Sequence, residues 1–131
     1  MSKREIGEKY FSMGYNCAQA VALAFKEEIG LDEQTIAKSI SGFGGGFGRL
    51  REVCGAVSGM VYVLGSLEGG FAPTDNAGKL NLYSKVQTLM KEFENQNGSY
   101  VCRDLVAVPQ KRPCVLLVGD ACEILENYLS K

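Results

Sequence analysis

Apolar positions along this chain recur at three- and four-residue steps, the period of a helix face and not of a strand. The first clear run is YNCAQAVALAFKEEIG. Cys17, Val21, Ala24 and Phe25 share one face there, the alanines favour helix, and Gly30 supplies a stop. Its start is open between Asn16 and Ser12, both good capping residues. LDEQTIAKSI follows as a short helix capped by Asp32, with Ile36 and Ile40 on the inner face.

A third helix is predicted from Arg49 to Leu64, its stripe formed by Cys54, Val57, Val61 and Leu64. Gly55 and Gly59 lie four residues apart on it, a small-residue pair that lets another backbone approach closely. GSLEGGFAPTDN reads as an interhelical loop. The fourth helix should span Asn76 to Asn95, with Leu82, Val86, Leu89 and Phe93 inward, Tyr83 and Met90 beside them, and Gly98 as the stop. SYVCRDLV reads as one or two turns carrying Cys102. In the last helix Pro113 takes the first helical position, and Val118, Ala121, Cys122, Leu125 and Leu129 face inward. The valine-rich pieces around 57–64 and 115–118 also suit strands. The prediction is an all-α fold, a compact multi-helix bundle with a glycine-rich interhelical loop, forming one domain over residues 1–131 without repeats or a dividing linker.

That loop, GFGGGFG at residues 42–48, holds five glycines in seven positions. Ordering so much glycine costs backbone entropy, so the segment needs a reason. It lacks the GKS or GKT ending of a P-loop and follows no predicted strand, which argues against nucleotide binding. Charge adds little: 14 basic residues stand against 15 acidic, with no basic block. Nucleic acid is therefore a poor partner. The N-terminal segment lacks a signal-peptide core, and AVSGMVYVLGSL is short and interrupted for a membrane span, so a cytoplasmic location is expected. Glu27, Glu28, Glu92 and Glu94 read as solvated helix faces and not as catalytic carboxylates.

Histidine is absent, which removes Ser-His-Asp, Cys-His and histidine–metal chemistry. Five cysteines remain: Cys17, Cys54, Cys102, Cys114 and Cys122. Cys54 is the first candidate for a reactive thiol. It follows the flexible loop formed around Gly44, Gly45 and Gly46, lies near a predicted helix start, has Arg51 one turn before it and has Ser58 one turn after it as a hydrogen-bond donor. The competing reading makes it a small apolar residue in a tight crossing. Cys114 has a similar case, with Pro113 opening its helix and Lys111 and Arg112 preceding it. Cys17 reads equally as core residue or partner thiol, Cys102 as a loop anchor or mobile partner, and Cys122 as core. Cys114 and Cys122 lie about 12 Å apart along one helix, too far for a disulfide while that helix stays intact. No CxxC spacing occurs, yet four remote thiolates could still gather around zinc or an iron–sulfur cluster.

GYNCAQAV at Cys17, CGAVSG with Cys54, Gly55, Ala56 and Gly59, YVCRDLV at Cys102 and RPCVLLV at Cys114 resemble the redox-active protein family named for its C_GCAxxG_C_C pattern. The resemblance covers about residues 10–130. The second motif is written C-G-A-V-S-G here, and Cys122 is additional to the family's four cysteines. The resemblance implies a helical fold and thiol redox chemistry by Cys54, Cys17, Cys102 and Cys114. The leading expectation is thiol–disulfide exchange or electron transfer, with Cys54 attacking, Cys17 resolving and Cys102 with Cys114 as a second pair or relay. Thiol exchange itself requires no cofactor, and the sequence gives no basis for assigning a nicotinamide or flavin. A zinc or iron–sulfur module on the same four cysteines and a non-enzymatic helical interaction module are the alternatives. Expected partners are a redox protein, a small thiol or disulfide, or a second copy of the chain.

Overall fold

Ser2 starts the first helix by a reciprocal cap. Its hydroxyl accepts the Glu5 N–H and the Glu5 carboxylate accepts the Ser2 N–H, each at 3.1 Å. This helix, α1 (Lys3–Ser12), lies outside the predicted elements: it is polar on average and only Gly7 is fully buried, although Ile6, Tyr10 and Phe11 pack against the core. In the computed structural model, which describes residues 1–131, it is the first of nine helices.

Asn16, not Ser12, caps α2 (Cys17–Ala24), accepting from the Gln19 N–H at 2.9 Å while the Gln19 amide oxygen accepts the Asn16 N–H. Ser12 ends α1 instead. The helix expected to run on to Gly30 breaks at Phe25 and resumes as α3 (Lys26–Ile29), with Gly30 left-handed at φ 80°. Asp32 caps α4 (Glu33–Ser39), as its sequence predicts. A 3-10 turn at Ser41–Phe43 and the turn α5 (Gly44–Phe47) carry the glycine loop.

Next comes α6 (Gly55–Glu68), which starts at Gly55 and not at Arg49. Arg49 and Arg51 take left-handed φ angles of 69° and 63°, which ends any helix through them. Residues 52–54 instead lie extended against 100–102, with Cys54 N–H donating to Tyr100 O at 2.8 Å and Cys102 N–H to Glu52 O at 2.6 Å. The rest is α7 (Asn76–Asn97), α8 (Cys102–Leu105) and α9 (Cys114–Leu129). Pro113 caps α9 from outside, one position earlier than expected, so Cys114 is the first helical residue. The Val53–Val101 bridge is isolated, and the valine-rich pieces fold as helix. No helix is long and apolar enough to cross a membrane.

An apolar run on nearly every side makes α2 the buried centre, packed by α1, α6 and α9. Its alanines let those neighbours come close, and Phe25, Met60, Leu64 and Phe93 fill the remaining space. Cys122 is fully buried, its sulfur against Gly7 of α1, and burial pushes its thiol up to about 12. It is a packing residue.

The α2–α6 crossing depends on the small pair read from the sequence. A methyl group on Gly59 would stand 2.7 Å from Ala18 O and 2.8 Å from Val21 Cβ. Backbone cannot retreat as a flexible side chain does. Gly59→Ala should therefore destabilise the fold by about 2 kcal/mol. Urea unfolding checks this, and a change within about 0.5 kcal/mol, as for an ordinary surface substitution, would mean the crossing is loose.

Candidate functional site

Four of the five cysteines stand where a helix begins. Cys17, Cys102 and Cys114 are the first residues of α2, α8 and α9, and Cys54 is the residue that caps α6. The sequence explains each placement locally: Asn16 caps ahead of Cys17, Pro113 admits Cys114, and the extended pairing of 52–54 with 100–102 sets Cys54 and Cys102. Around Val53 and Val101 that pairing is antiparallel, so Cys54 and Cys102 project to the face opposite the two valines.

Close backbone approach brings in Cys17. Its sulfur lies against the Cα of Gly55, the residue after Cys54, where any β-carbon would collide with it. Gly46, left-handed at φ 74°, gives similar room to Cys102, whose Cβ would be 2.8 Å from a β-carbon there. Thus the CGAxxG motif and the glycine loop are the surfaces against which two thiols pack.

The electrostatics identify neighbours. Burial raises the Cys17 thiol above its ordinary value, the Gly45 N–H pointing at the sulfur lowers it, and charge on Cys114 or Cys102 raises it again. Burial also pushes Cys54 up to about 12, aided by Cys17 and by Cys102 and opposed by the Ala56 and Val57 N–H groups. Charge on Cys114 and Cys102 thus raises Cys17, and charge on Cys17 and Cys102 raises Cys54. Cys122 is not part of it.

Two expectations need correction. Cys54 is expected to be a reactive thiol whose surroundings favour the thiolate, but it is 5% exposed and desolvated. The half-buried members, open to a partner, are Cys17 and Cys114. Arg51 was to support Cys54 from one helical turn before it. With no helix there, its guanidinium instead donates to Cys102 Sγ at 3.7 Å. Ser58 lines an apolar groove of about 360 Å³ beside Phe43, Val53 and Tyr62.

Gln110, overlooked in the sequence, donates to Arg112 O at 2.8 Å and to Cys114 Sγ at 3.8 Å. Its signal was weak, since a polar loop residue four positions before a cysteine is common. All five cysteines are free thiols. No group of three or more Cys, Asp or Glu side chains is arranged to hold a metal ion, so the four-cysteine metal centre lacks its required convergence.

An all-helical protein with remote thiols gathered at helix starts is the class that fold and site define. The chain belongs to the family described as "Putative redox-active protein (C_GCAxxG_C_C)", whose model it matches over residues 15–128. It is also 32% identical over 129 residues to an uncharacterized protein of Archaeoglobus fulgidus, covering 87% of this chain and 84% of that one. No solved structure matches it significantly. Membership carries a redox role in the broad sense, resting on the cysteines.

Proposed function

We propose that the protein reduces disulfides by thiol–disulfide exchange, with Cys114 and Cys17 as the entry pair and Cys54 and Cys102 as the inner pair. The observation that carries this reading is the position of Cys17, half-buried like Cys114, with its sulfur packed against Gly55, the residue after Cys54. Cys114, as thiolate, attacks one sulfur of a substrate disulfide. The substrate S–S bond breaks, one thiolate leaves, and Cys114 holds the other half as a mixed disulfide. Cys17 then attacks the Cys114 sulfur, forming the Cys17–Cys114 disulfide and releasing the second thiolate. The two cysteine protons end on the two product thiols. The protein is oxidised by two electrons and the substrate is reduced by two.

Exchange passes the disulfide inward when Cys54 attacks Cys17, forming Cys17–Cys54 and releasing Cys114 as its thiol, and reaches the inner pair when Cys102 attacks Cys54 and releases Cys17. Desolvation favours that direction. A dithiol whose thiolates are stabilised is an oxidant once oxidised, because its reduced form is held down in energy. At Cys17 and Cys54 burial outweighs the N–H groups that would stabilise a thiolate. The inner disulfide is thereby favoured and the thiols act as reductant, regenerated by an external dithiol.

Thiol mapping across controlled redox potential, with anaerobic native mass spectrometry, tests this. The expected result is reversible loss of two hydrogens, with Cys17 disulfide-bonded to Cys114 or Cys54 and Cys122 reduced throughout. Absence of reversible oxidation among the four would overturn the proposal. Stoichiometric metal that shields the four thiols would replace it with the zinc or iron–sulfur reading.

A further inference from the structure

Residues 47–51 run through three left-handed non-glycine positions, Phe47, Arg49 and Arg51, a conformation that L side chains rarely adopt. The loop is folded back on the glycines by backbone bonds, Arg49 N–H to Gly44 O and Arg51 N–H to Gly45 O, both 3.3 Å. Both arginines are thereby laid over Gly45. A β-carbon on that residue would stand 2.8 Å from Arg49 Cγ and 3.8 Å from Arg51 Nη1. Gly45 is also the residue whose backbone N–H draws the Cys17 thiol down, and Arg51 Nη1 donates to Cys102 Sγ at 3.7 Å.

Neither arginine has a carboxylate partner. The chain's ion pairs involve Lys3, Arg4, Lys26, Lys85, Arg103 and Arg112, and Glu52, the acidic residue nearest in sequence, is taken by Arg103 at 3.2 Å. Two exposed arginines without a carboxylate partner thus lie over Gly45, Arg51 reaching Cys102, on backbone that a glycine would occupy more easily. Guanidinium is the side chain suited to planar, paired recognition of carboxylate and to phosphate.

Building on the exchange reading, we infer that Arg49 and Arg51 form the seat for the anionic group of a small disulfide or thiol, setting its sulfur before the Cys17–Cys114 entry pair. The seat selects substrates by charge. A carboxylate or phosphate meets two cationic donors, whereas a cationic disulfide meets two like charges.

Three small disulfides differing in charge test this: dithiodiglycolate, hydroxyethyl disulfide and cystamine, each mixed with pre-reduced full-length protein freed of reductant, the rate of protein oxidation being read by mass. At low ionic strength the anionic disulfide should react about tenfold faster than the neutral one and the cationic one slowest, with the spread shrinking as salt rises. Arg49→Gly should collapse the anionic-to-cationic ratio without lowering the thermal midpoint, because glycine accepts the left-handed backbone. Arg51→Lys, keeping charge but losing the fork, should retain part of the ratio. Equal rates for all three disulfides, or a ratio that survives Arg49→Gly, would overturn the seat while leaving exchange intact. Failure of all three disulfides to react would overturn the exchange reading and the seat with it. Phosphate and acetate, compared as competitors at constant ionic strength, tell which anion the seat takes. Protection against neither would also overturn it.

Discussion

Serine in place of Cys17 should lower the rate of disulfide reduction by about a thousandfold, the scale expected when an obligatory nucleophile is removed. The hydroxyl nearly matches the thiol in shape, so its fit against Gly55 survives, but an alcohol is far too weak an acid to attack sulfur at neutral pH. The position of Cys17 makes the effect large. Its sulfur packs against Gly55, next to the buried Cys54, and it is half-buried like Cys114. The variant should also stall after the first step, leaving Cys114 as a stable mixed disulfide visible as added mass. Cys122→Ala, altering a thiol held in the core against Gly7, should leave the rate unchanged. A Cys17→Ser protein that retained a tenth or more of the native rate would remove Cys17 from the centre of the mechanism.

The pH profile follows from the same burial. Because Cys17 is held above the ordinary thiol value, little of it is thiolate at neutral pH, and the resolving step should accelerate about tenfold per pH unit through the alkaline range below its titration. A profile flat from neutral to alkaline pH would mean that a different thiol limits the reaction.

The sequence made some of this plain and hid the rest for reasons that are local. Helix faces built on Ile36, Leu89, Phe93, Val118 and Leu125 were legible because amphipathic periodicity is a direct projection of burial. The Gly55–Gly59 pair was legible as a crossing because only small residues make sense at that spacing in an apolar helix. What misled was the assumption that apolar periodicity starting at Arg49 means helix from Arg49. The left-handed arginines and the pairing with 100–102 are long-range effects, invisible to a local window, and they moved Cys54 from a helix turn to a buried cap. Once the helix start moved, the roles of Arg51 and Ser58 moved with it. The first helix is hard to see because its polar average hides the face of Ile6, Tyr10 and Phe11, although its S-x-x-E box stands at Ser2 and Glu5. The four cysteines were recognisable from motifs, but which of them are open and which are sealed is a property of packing alone.

Asp120 is the other position at which a single change should act strongly. It is the one charged residue in the core, 4% exposed, on α9 facing α1. Arg112 grips it as a fork at 2.7 and 2.8 Å, and Arg4 adds a third bond at 2.5 Å. Burial works against its charge, but the Arg112 and Arg4 hydrogen bonds prevail and hold the carboxyl below its ordinary value. Asp120→Ala leaves two guanidiniums facing each other. The cost should be about 3 kcal/mol, at the lower end for a broken buried ion pair because the Arg4 and Arg112 side chains are 23% and 41% exposed and partly solvated. Since the folded pKa is depressed, the stabilisation is fully present above the unfolded value of about 4 and is lost as pH falls through the folded value. The stability gap between native protein and Asp120→Asn should thus be widest near neutrality and close in acid. A gap constant across pH would assign the loss to packing. Arg112 lies two residues before Cys114, so the clamp also holds the start of α9 in place. Alkylation of Cys114 in Asp120→Ala should then outpace global unfolding, and equal rates would show that the clamp stabilises the helix bundle without positioning the thiol.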